Sequence, residues 1–227
     1  MGRPPAVPRG QASFAQQGED LIIKSMAHAL RLPRPTYIDI GAHEPVLNNN
    51  TYLFYGEGSR GVLVEPNPVY AKKLRAERPE DKVLELGIGF TAQTEADYYL
   101  IKGDDQLNTF SKEQAEELEK LRGKGTIERV VKMPLVNLND VLAEHFPKGG
   151  PNIVSVDTEG LDYDILRSLD FARFRPQIVC AETAELTGAT IDPIFALMQK
   201  NGYVARGGTF VNTVFVDEKL LASAAHP

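Results

Sequence analysis

Two acids, each ending a short apolar run, are the first residues here whose type and spacing suit chemistry. In Tyr37-Ile-Asp39-Ile-Gly41-Ala-His43, residues Tyr37, Ile38 and Ile40 read as a buried strand, with Asp39 near its end and Gly41 directly after it. A strand stopping on glycine lets a ligand approach the backbone, because no Cβ stands in the way. Ligands of open α/β sheets sit outside the carboxyl ends of the strands, so Asp39 and Gly41 stand where a cofactor would lie. The run Gly61-Val-Leu-Val-Glu65-Pro66 repeats the signal about one βαβ unit later, its acid suited to ribose hydroxyls. A third apolar run, 82–86, passes into Gly87-Ile88-Gly89. Pro66, Gly87 and Ile88 therefore join Gly41 and Glu65 as strand-end candidates for binding a cofactor.

The glycines narrow the choice of cofactor. A dinucleotide pyrophosphate usually needs G-x-G-x-x-G, and this first loop has one glycine; no G-x-x-x-x-G-K-[ST] occurs either. The loop suits a nucleoside without phosphates, and S-adenosylmethionine leads. Asp39 could take the ammonium of its amino-acid tail, directly or through water, and Glu65 both ribose hydroxyls. The plainer readings are an Asp39 that caps the next turn and a Glu65 that is a solvated strand end.

Further acids end later strands: Asp157 closes Asn152-Ile-Val-Ser-Val-Asp157, and Glu182 closes Ile178-Val-Cys-Ala-Glu182. Methyl transfer from a sulfonium is an in-line displacement in which alignment supplies much of the rate. A hydroxyl acceptor has a high pKa, so a base or metal must help remove its proton. Asp157 is the first candidate beside the methyl group, as base or as a holder of the acceptor or of the donor's ammonium. Glu182 is a second base or an acceptor contact. Glu159 and Asp162 flank Gly160 at a helix start, where acids also serve the helix dipole. His43, on the cofactor loop, is either a base titrating near neutrality or a donor contact. His28, His145 and His226 read as structural or solvated. Converging acids also fit a divalent cation such as magnesium; zinc fits poorly, because Cys180 is the only cysteine and the histidines are scattered. No metal ligands are assigned, and Cys180 reads as a small core residue.

Positioning these groups requires alternating strands and helices. Apolar spacing predicts a helix over 19–30, stopped by Pro33 and Pro35. Asn50 or Thr51 could cap a short helix around Tyr52–55, and Asn67 caps one over 68–78. Strands are expected at 62–65, 82–86, 96–101, 130–136, 203–205 and 209–216. Ser111 with Gln114 makes a capping box for a charged helix. Apolar stripes predict helices at Leu138–Phe146, 161–169 and 192–200. Strands alternating with helices imply a mostly parallel sheet covered on both faces. The last two strands, joined through Arg206-Gly207-Gly208, can only be an antiparallel hairpin. A doubly wound sheet ended this way is the class I methyltransferase architecture.

Composition closes off other classes. The formal net charge of −6 argues against nucleic-acid binding, which needs a basic face. No apolar run is long enough to span a bilayer. A single cysteine excludes an internal disulfide and fits a reducing compartment, so a soluble, cytoplasmic protein is expected. The Pro- and Arg-rich start is no signal peptide and reads as a loose tail over 1–12, with one domain over 13–220. Within it, 103–129 reads as an insertion that could cover the acceptor. A homo-oligomer is compatible with the sequence.

Five segments in order also resemble the FkbM-type methyltransferases: Ser13-Phe-Ala-Gln-Gln-Gly-Glu-Asp20, Tyr37-Ile-Asp-Ile-Gly-Ala-His43, Val64-Glu-Pro-Asn-Pro68, Val156-Asp-Thr-Glu-Gly160 with Asp162, and Asn212-Thr-Val-Phe-Val216. The resemblance implies a class I fold, S-adenosylmethionine as donor and O-methylation of a hydroxyl on a sugar or secondary metabolite, so a small sugar or polyketide-like acceptor is the expected partner. His43, where the family commonly has asparagine, and Thr158, where it has an aliphatic residue, depart from the pattern and leave the acceptor open. The other readings are a nicotinamide-dependent dehydrogenase or epimerase, which lacks its glycine pattern and a Tyr-x-x-x-Lys pair here, and a non-catalytic nucleoside-binding module.

Overall fold

The structure, a computed structural model, describes residues 11–184 and 192–225. The expected tail over 1–12 thus lies outside the described residues except for Gln11 and Ala12, which are exposed, and His226 lies outside them too.

The strands of the main sheet are β1 (Tyr37–Ile40), β2 (Gly61–Val64), β3 (Lys82–Leu84), β7 (Ile153–Val156), β8 (Ile178–Glu182), β9 (Tyr203–Gly208) and β10 (Asn212–Asp217). Their order is β3-β2-β1-β7-β8-β10-β9. The first five run parallel, and β10 is antiparallel to both β8 and β9. The chain starts at the centre, winds outward to β3, crosses back to β7 and finishes with the expected hairpin. This is the class I methyltransferase sheet, whose topological switch point lies between β1 and β7.

The parity of each strand decides what covers it. Ile38, Ile40, Val62, Val154, Val156, Val179 and Phe215 pack with Leu138, Leu142, Ile165 and Ile194. Those come from α5 (Leu138–His145), α6 (Asp162–Ser168) and α7 (Asp192–Lys200). The alternate residues Tyr37, Leu63, Ile153, Ile178 and Val214 pack with Ile23, Phe54 and Leu74. Those belong to α1 (Glu19–Ala29), α2 (Tyr52–Gly56) and α3 (Pro68–Glu77). Strands buried on both faces read as continuous apolar runs, as these do. Cys180 is fully buried on the α1 side.

Three expectations need correction. The run 82–86 is not one strand continuing into its glycines: β3 ends at Leu84, and Gly87–Gly89 (β4) leaves the main sheet to pair with β6 (Ile127–Asn137). A Cβ on Gly87 would lie 2.6 Å from the Phe110 ring and 2.7 Å from Leu135, so the crossing needs glycine. β6, longer than the expected 130–136, also pairs antiparallel with β5 (Glu95–Ile101), making a separate three-stranded sheet. The third correction is the closing turn, which falls at 209–211 rather than on Arg206-Gly207-Gly208. Those glycines lie within β9, where Gly207 packs under Ile22 of α1.

Caps follow the expectations with one exception. Asn67 accepts from Val69 N at 3.0 Å, and Ser111 accepts from Gln114 N at 3.2 Å at the start of α4 (Lys112–Arg122). At α2 the capping oxygen is that of Asn49, which accepts from Thr51 N and Tyr52 N. The last helix, α8 (Glu218–Ala225), follows β10. No helix among the described residues is long and apolar enough to cross a membrane.

Candidate active site

The carboxyl ends of β1, β2 and β7 build a slot at the switch point. Gly41 N and Ala42 N donate to Val64 O, and Asp157 N donates to Ile40 O, so the three strand ends are stitched together. Gly41 adopts φ +85°, and a Cβ there would sit 1.8 Å from the Asp157 carbonyl oxygen. Glycine is required on both counts. Gly41, His43, Glu65, Pro66, Gly87 and Ile88 all line the slot, with Asp157 at its end. Asp39 is not among the lining residues.

Glu65 is almost fully buried, and its oxygens accept from His43 N at 2.9 Å and Asn67 N at 2.7 Å. Each oxygen keeps a lone pair for a further donor. Burial raises its carboxyl to about 7, against the opposing pull of those two amides. His43 has φ +46°, and its ring lies 3.9 Å from that of Tyr70. Burial lowers its pKa and so favours the neutral ring, and its buried Nε2 has no partner among the described residues.

Asp39 is instead tied into a buried network beneath the slot. Its Oδ2 accepts from Thr51 Oγ1 at 2.7 Å. Arg78, with no exposed surface, donates to Asp81, Asn49, Tyr37 and Thr51 at 2.8–3.0 Å. Tyr37 Oη donates in turn to Asp81. Sequence reasoning missed Arg78 because an arginine in a charged helix ordinarily faces water. In the notation of the chain, the only trace was its position at the end of an otherwise amphipathic helix.

The slot is roofed by residues that follow β5. Asp105, Gln106, Asn108 and Phe110 line it together with Tyr98, whose ring lies 4.6 Å from Phe110. Tyr70 Oη donates to Asp105 at 2.9 Å, tying this segment to α3. Sequence reading singled out none of these residues individually.

A second, wider cavity of about 570 Å³ adjoins the slot and shares Asp157 and Glu159 with it. Carboxylate oxygens of Asp157, Glu159 and Glu182 lie within 4.8 Å of one another, so the structure brings together acids that are up to 25 residues apart in the sequence. Burial foremost, then repulsion from neighbouring acids, Asp162 among them in every case, raises all three carboxyls above the usual range. Glu159 is held by Gln114 Nε2 at 3.0 Å, and its carbonyl accepts from Thr109 Oγ1. The Gln114 side chain is thus diverted from the reciprocal half of its capping box. Asp162 faces its own helix start, accepting from Thr158 N and Thr158 Oγ1. Three oxygens so close could hold a hard divalent cation, and nothing further in the structure points to one.

The lining offers two acceptor oxygens on Glu65, the His43 Nε2 without a partner among the described residues, and apolar walls at Ile88 and Leu161, the kinds of group a nucleoside uses. The model of the methyltransferase FkbM domain matches residues 39–205. Similar solved structures include a TehB-like SAM-dependent methyltransferase from Corynebacterium glutamicum (8% identity, 89% of this chain and 88% of that one, TM-score 0.47). Another is precorrin-6y C5,15-methyltransferase from Geobacter metallireducens (12%, 91% and 91%, 0.43). A third is Burkholderia thailandensis 1,6-didemethyltoxoflavin-N1-methyltransferase with bound 1,6-didemethyltoxoflavin and S-adenosylhomocysteine (8%, 88% and 77%, 0.44). No curated protein sequence matches the chain. The chain belongs to the FkbM methyltransferase domain family and is an S-adenosylmethionine-dependent methyltransferase.

Proposed function

We propose that this protein methylates a hydroxyl of a small acceptor, a sugar or polyketide-like metabolite, held in the wide cavity. The observation that carries this reading is the position of Asp157, the strand-end acid that, with Glu159, is shared by the slot and the cavity. S-adenosylmethionine supplies, when bound, a methyl group already activated on a sulfonium. In this reading Glu65 holds the ribose hydroxyls, His43 contacts the donor through Nε2, and Gly41, Pro66, Gly87 and Ile88 shape the nucleoside slot. Asp39 supports them from below through Thr51. Asp157 accepts the acceptor's hydroxyl proton as its oxygen bonds to the methyl carbon and the carbon–sulfur bond breaks. The raised pKa of Asp157 makes it a stronger base than an ordinary aspartate. Glu182 orients the acceptor from the neighbouring strand. His43 is the weaker base candidate, because burial favours its neutral form while its ring packs on Tyr70.

Residues 13–220 act in this reading as one catalytic domain. Within 103–129, residues such as Phe110 roof the slot and residues such as Gln114 line the cavity, which supports a role as acceptor cover. The test pairs calorimetric titration of S-adenosylhomocysteine with methyl transfer to a panel of sugars and alcohols. Asp157→Asn should keep donor affinity within about threefold and cut turnover at least about a hundredfold. Donor affinity abolished in step with turnover would move Asp157 into the donor site, and binding of NAD alone would overturn the methyltransferase mechanism.

A further inference from the structure

We infer that Phe210 determines acceptor specificity, as the platform on which a hydroxylated ring stacks; this rests on the wide cavity being the acceptor site. Among the described residues that line the cavity, Phe210 is the one aromatic. It is 73% exposed, more than any other large apolar side chain among the described residues. Single exposed apolar residues are ordinary on a protein surface, but this one is fixed at a cavity. It lies in the turn 209–211 between β9 and β10. Because β10 runs antiparallel to β8, that turn stands at the carboxyl ends of the parallel strands, the end that carries Asp157 and Glu182.

The turn is held from both sides. Thr209 Oγ1 donates to Glu19 Oε1 at 2.7 Å, and Phe210 N donates to Gln17 Oε1 at 2.9 Å. Glu19 has no exposed surface, and its second oxygen accepts from Gln17 N at 2.9 Å. From the β8 side, Thr183 N donates to Val211 O at 2.8 Å. Residues 13–20, none of which lines the slot, thus brace the rim of the cavity. An aromatic ring presented on a braced turn has little freedom left to lose on binding. The walls of the cavity differ in kind. Phe210, Val211 and Leu107 are apolar, whereas Glu113, Gln114 and Glu117 of α4 and the strand-end acids are polar. A hydroxylated ring is divided in the same way. A saturated sugar ring lays C–H bonds on the negative face of an aromatic, a phenolic ring stacks on it offset, and both carry hydroxyls along the edge. Hydroxyls both donate and accept, so they pair with a carboxyl in either protonation state. Burial foremost pushes Glu159 up to about 9 and Glu182 up to about 11, so both are largely protonated at pH 7 and suit a neutral partner.

The probes are methyl β-D-glucopyranoside, a saturated ring, resorcinol, an aromatic one, and sorbitol, a hydroxylated open chain. Each is titrated into isotope-labelled full-length protein saturated with S-adenosylhomocysteine, and the amides of Gln114, Glu182 and Val211 are followed by NMR. One of the two rings should shift these amides at a concentration at least about fivefold below that needed for sorbitol. The preferred ring identifies the source, the glucoside a sugar and resorcinol an aromatic polyketide-like compound. Phe210→Leu keeps apolar bulk without a ring face. It should erase the preference and leave S-adenosylhomocysteine affinity, read by calorimetry, unchanged. Phe210→Trp should retain the preference. Equal responses to the rings and to sorbitol overturn the inference, and so does a preference that survives in Phe210→Leu; in both cases the shifted amides keep the cavity as the acceptor site. No shift with any probe up to about 100 mM overturns the inference and the acceptor site together.

Discussion

Glu65 and Arg78 are buried charged residues with opposite energetic roles. Glu65 accepts two backbone amides yet stays protonated more readily than a free glutamate, because burial costs its charged form more than the amides return. It binds ribose hydroxyls best as a carboxylate. Donor affinity should therefore rise as pH climbs through about 7. Glu65→Ala should weaken S-adenosylhomocysteine at least about tenfold, the scale of a lost charged hydrogen bond; calorimetry across pH reads both effects, and a pH-independent affinity would remove Glu65 from the site. Arg78 compensates Asp81 directly and Asp39 through Thr51. Arg78→Leu leaves those acids buried without their cation and should cost about 3–5 kcal/mol, the scale for breaking a buried pair. Denaturant unfolding measures it, and a loss below about 1 kcal/mol would mean the network is replaceable.

Among the elements, the segment between β5 and α4 decides access. The slot encloses about 60 Å³, far below the roughly 300–1,000 Å³ of ordinary ligand cavities. A nucleoside can enter only if the roof formed by Asp105, Gln106, Asn108 and Phe110 shifts. S-adenosylhomocysteine should therefore change amide exchange over 104–110 while leaving the β1 and β7 amides, held in the central sheet, almost untouched. Hydrogen exchange with mass spectrometry reads this, and a roof unaffected by saturating ligand would mean that the donor enters elsewhere. The pin holding the roof is the bond from Tyr70 Oη to Asp105, so Tyr70→Phe should speed exchange in this segment without ligand.

For the whole molecule, crowded acids tie stability to pH. Glu65, Asp157, Glu159, Asp162 and Glu182 all have carboxyls raised by burial. A raised carboxyl binds its proton more tightly in the folded state than in the unfolded one. Its favourable contribution is present at low pH and is lost as pH rises from the ordinary carboxyl range through the folded value. The melting temperature should fall by several degrees between about pH 5 and about pH 8. Glu182→Gln removes one carboxyl that the folded state must keep protonated, its pKa pushed up to about 11, and should raise the melting temperature at the upper end only. A flat wild-type profile would show that water or a bound cation relieves the crowding.

Local pattern determined much of this protein. Each acid-terminated strand is a run of five or six neighbouring residues, and its period, its closing glycine and its missing phosphate fingerprint are all local properties. From these the parallel sheet, the closing hairpin and the strand ends at Gly41 and Glu65 that line the slot were legible. The tertiary structure alone decided what depends on distance through space. Asp39 turns down to Thr51 because parity and the α2 connection put a hydroxyl there, not because of its neighbours in sequence. Gly87 opens a second sheet because Phe110 and Leu135 arrive against it. Asp157, Glu159 and Glu182 converge because β7 and β8 are adjacent and parallel, and the α4 glutamates join them by packing of a segment some forty residues earlier. Periodicity specifies which face of an element is buried, whereas the partner that face meets is set by the closing of the whole sheet.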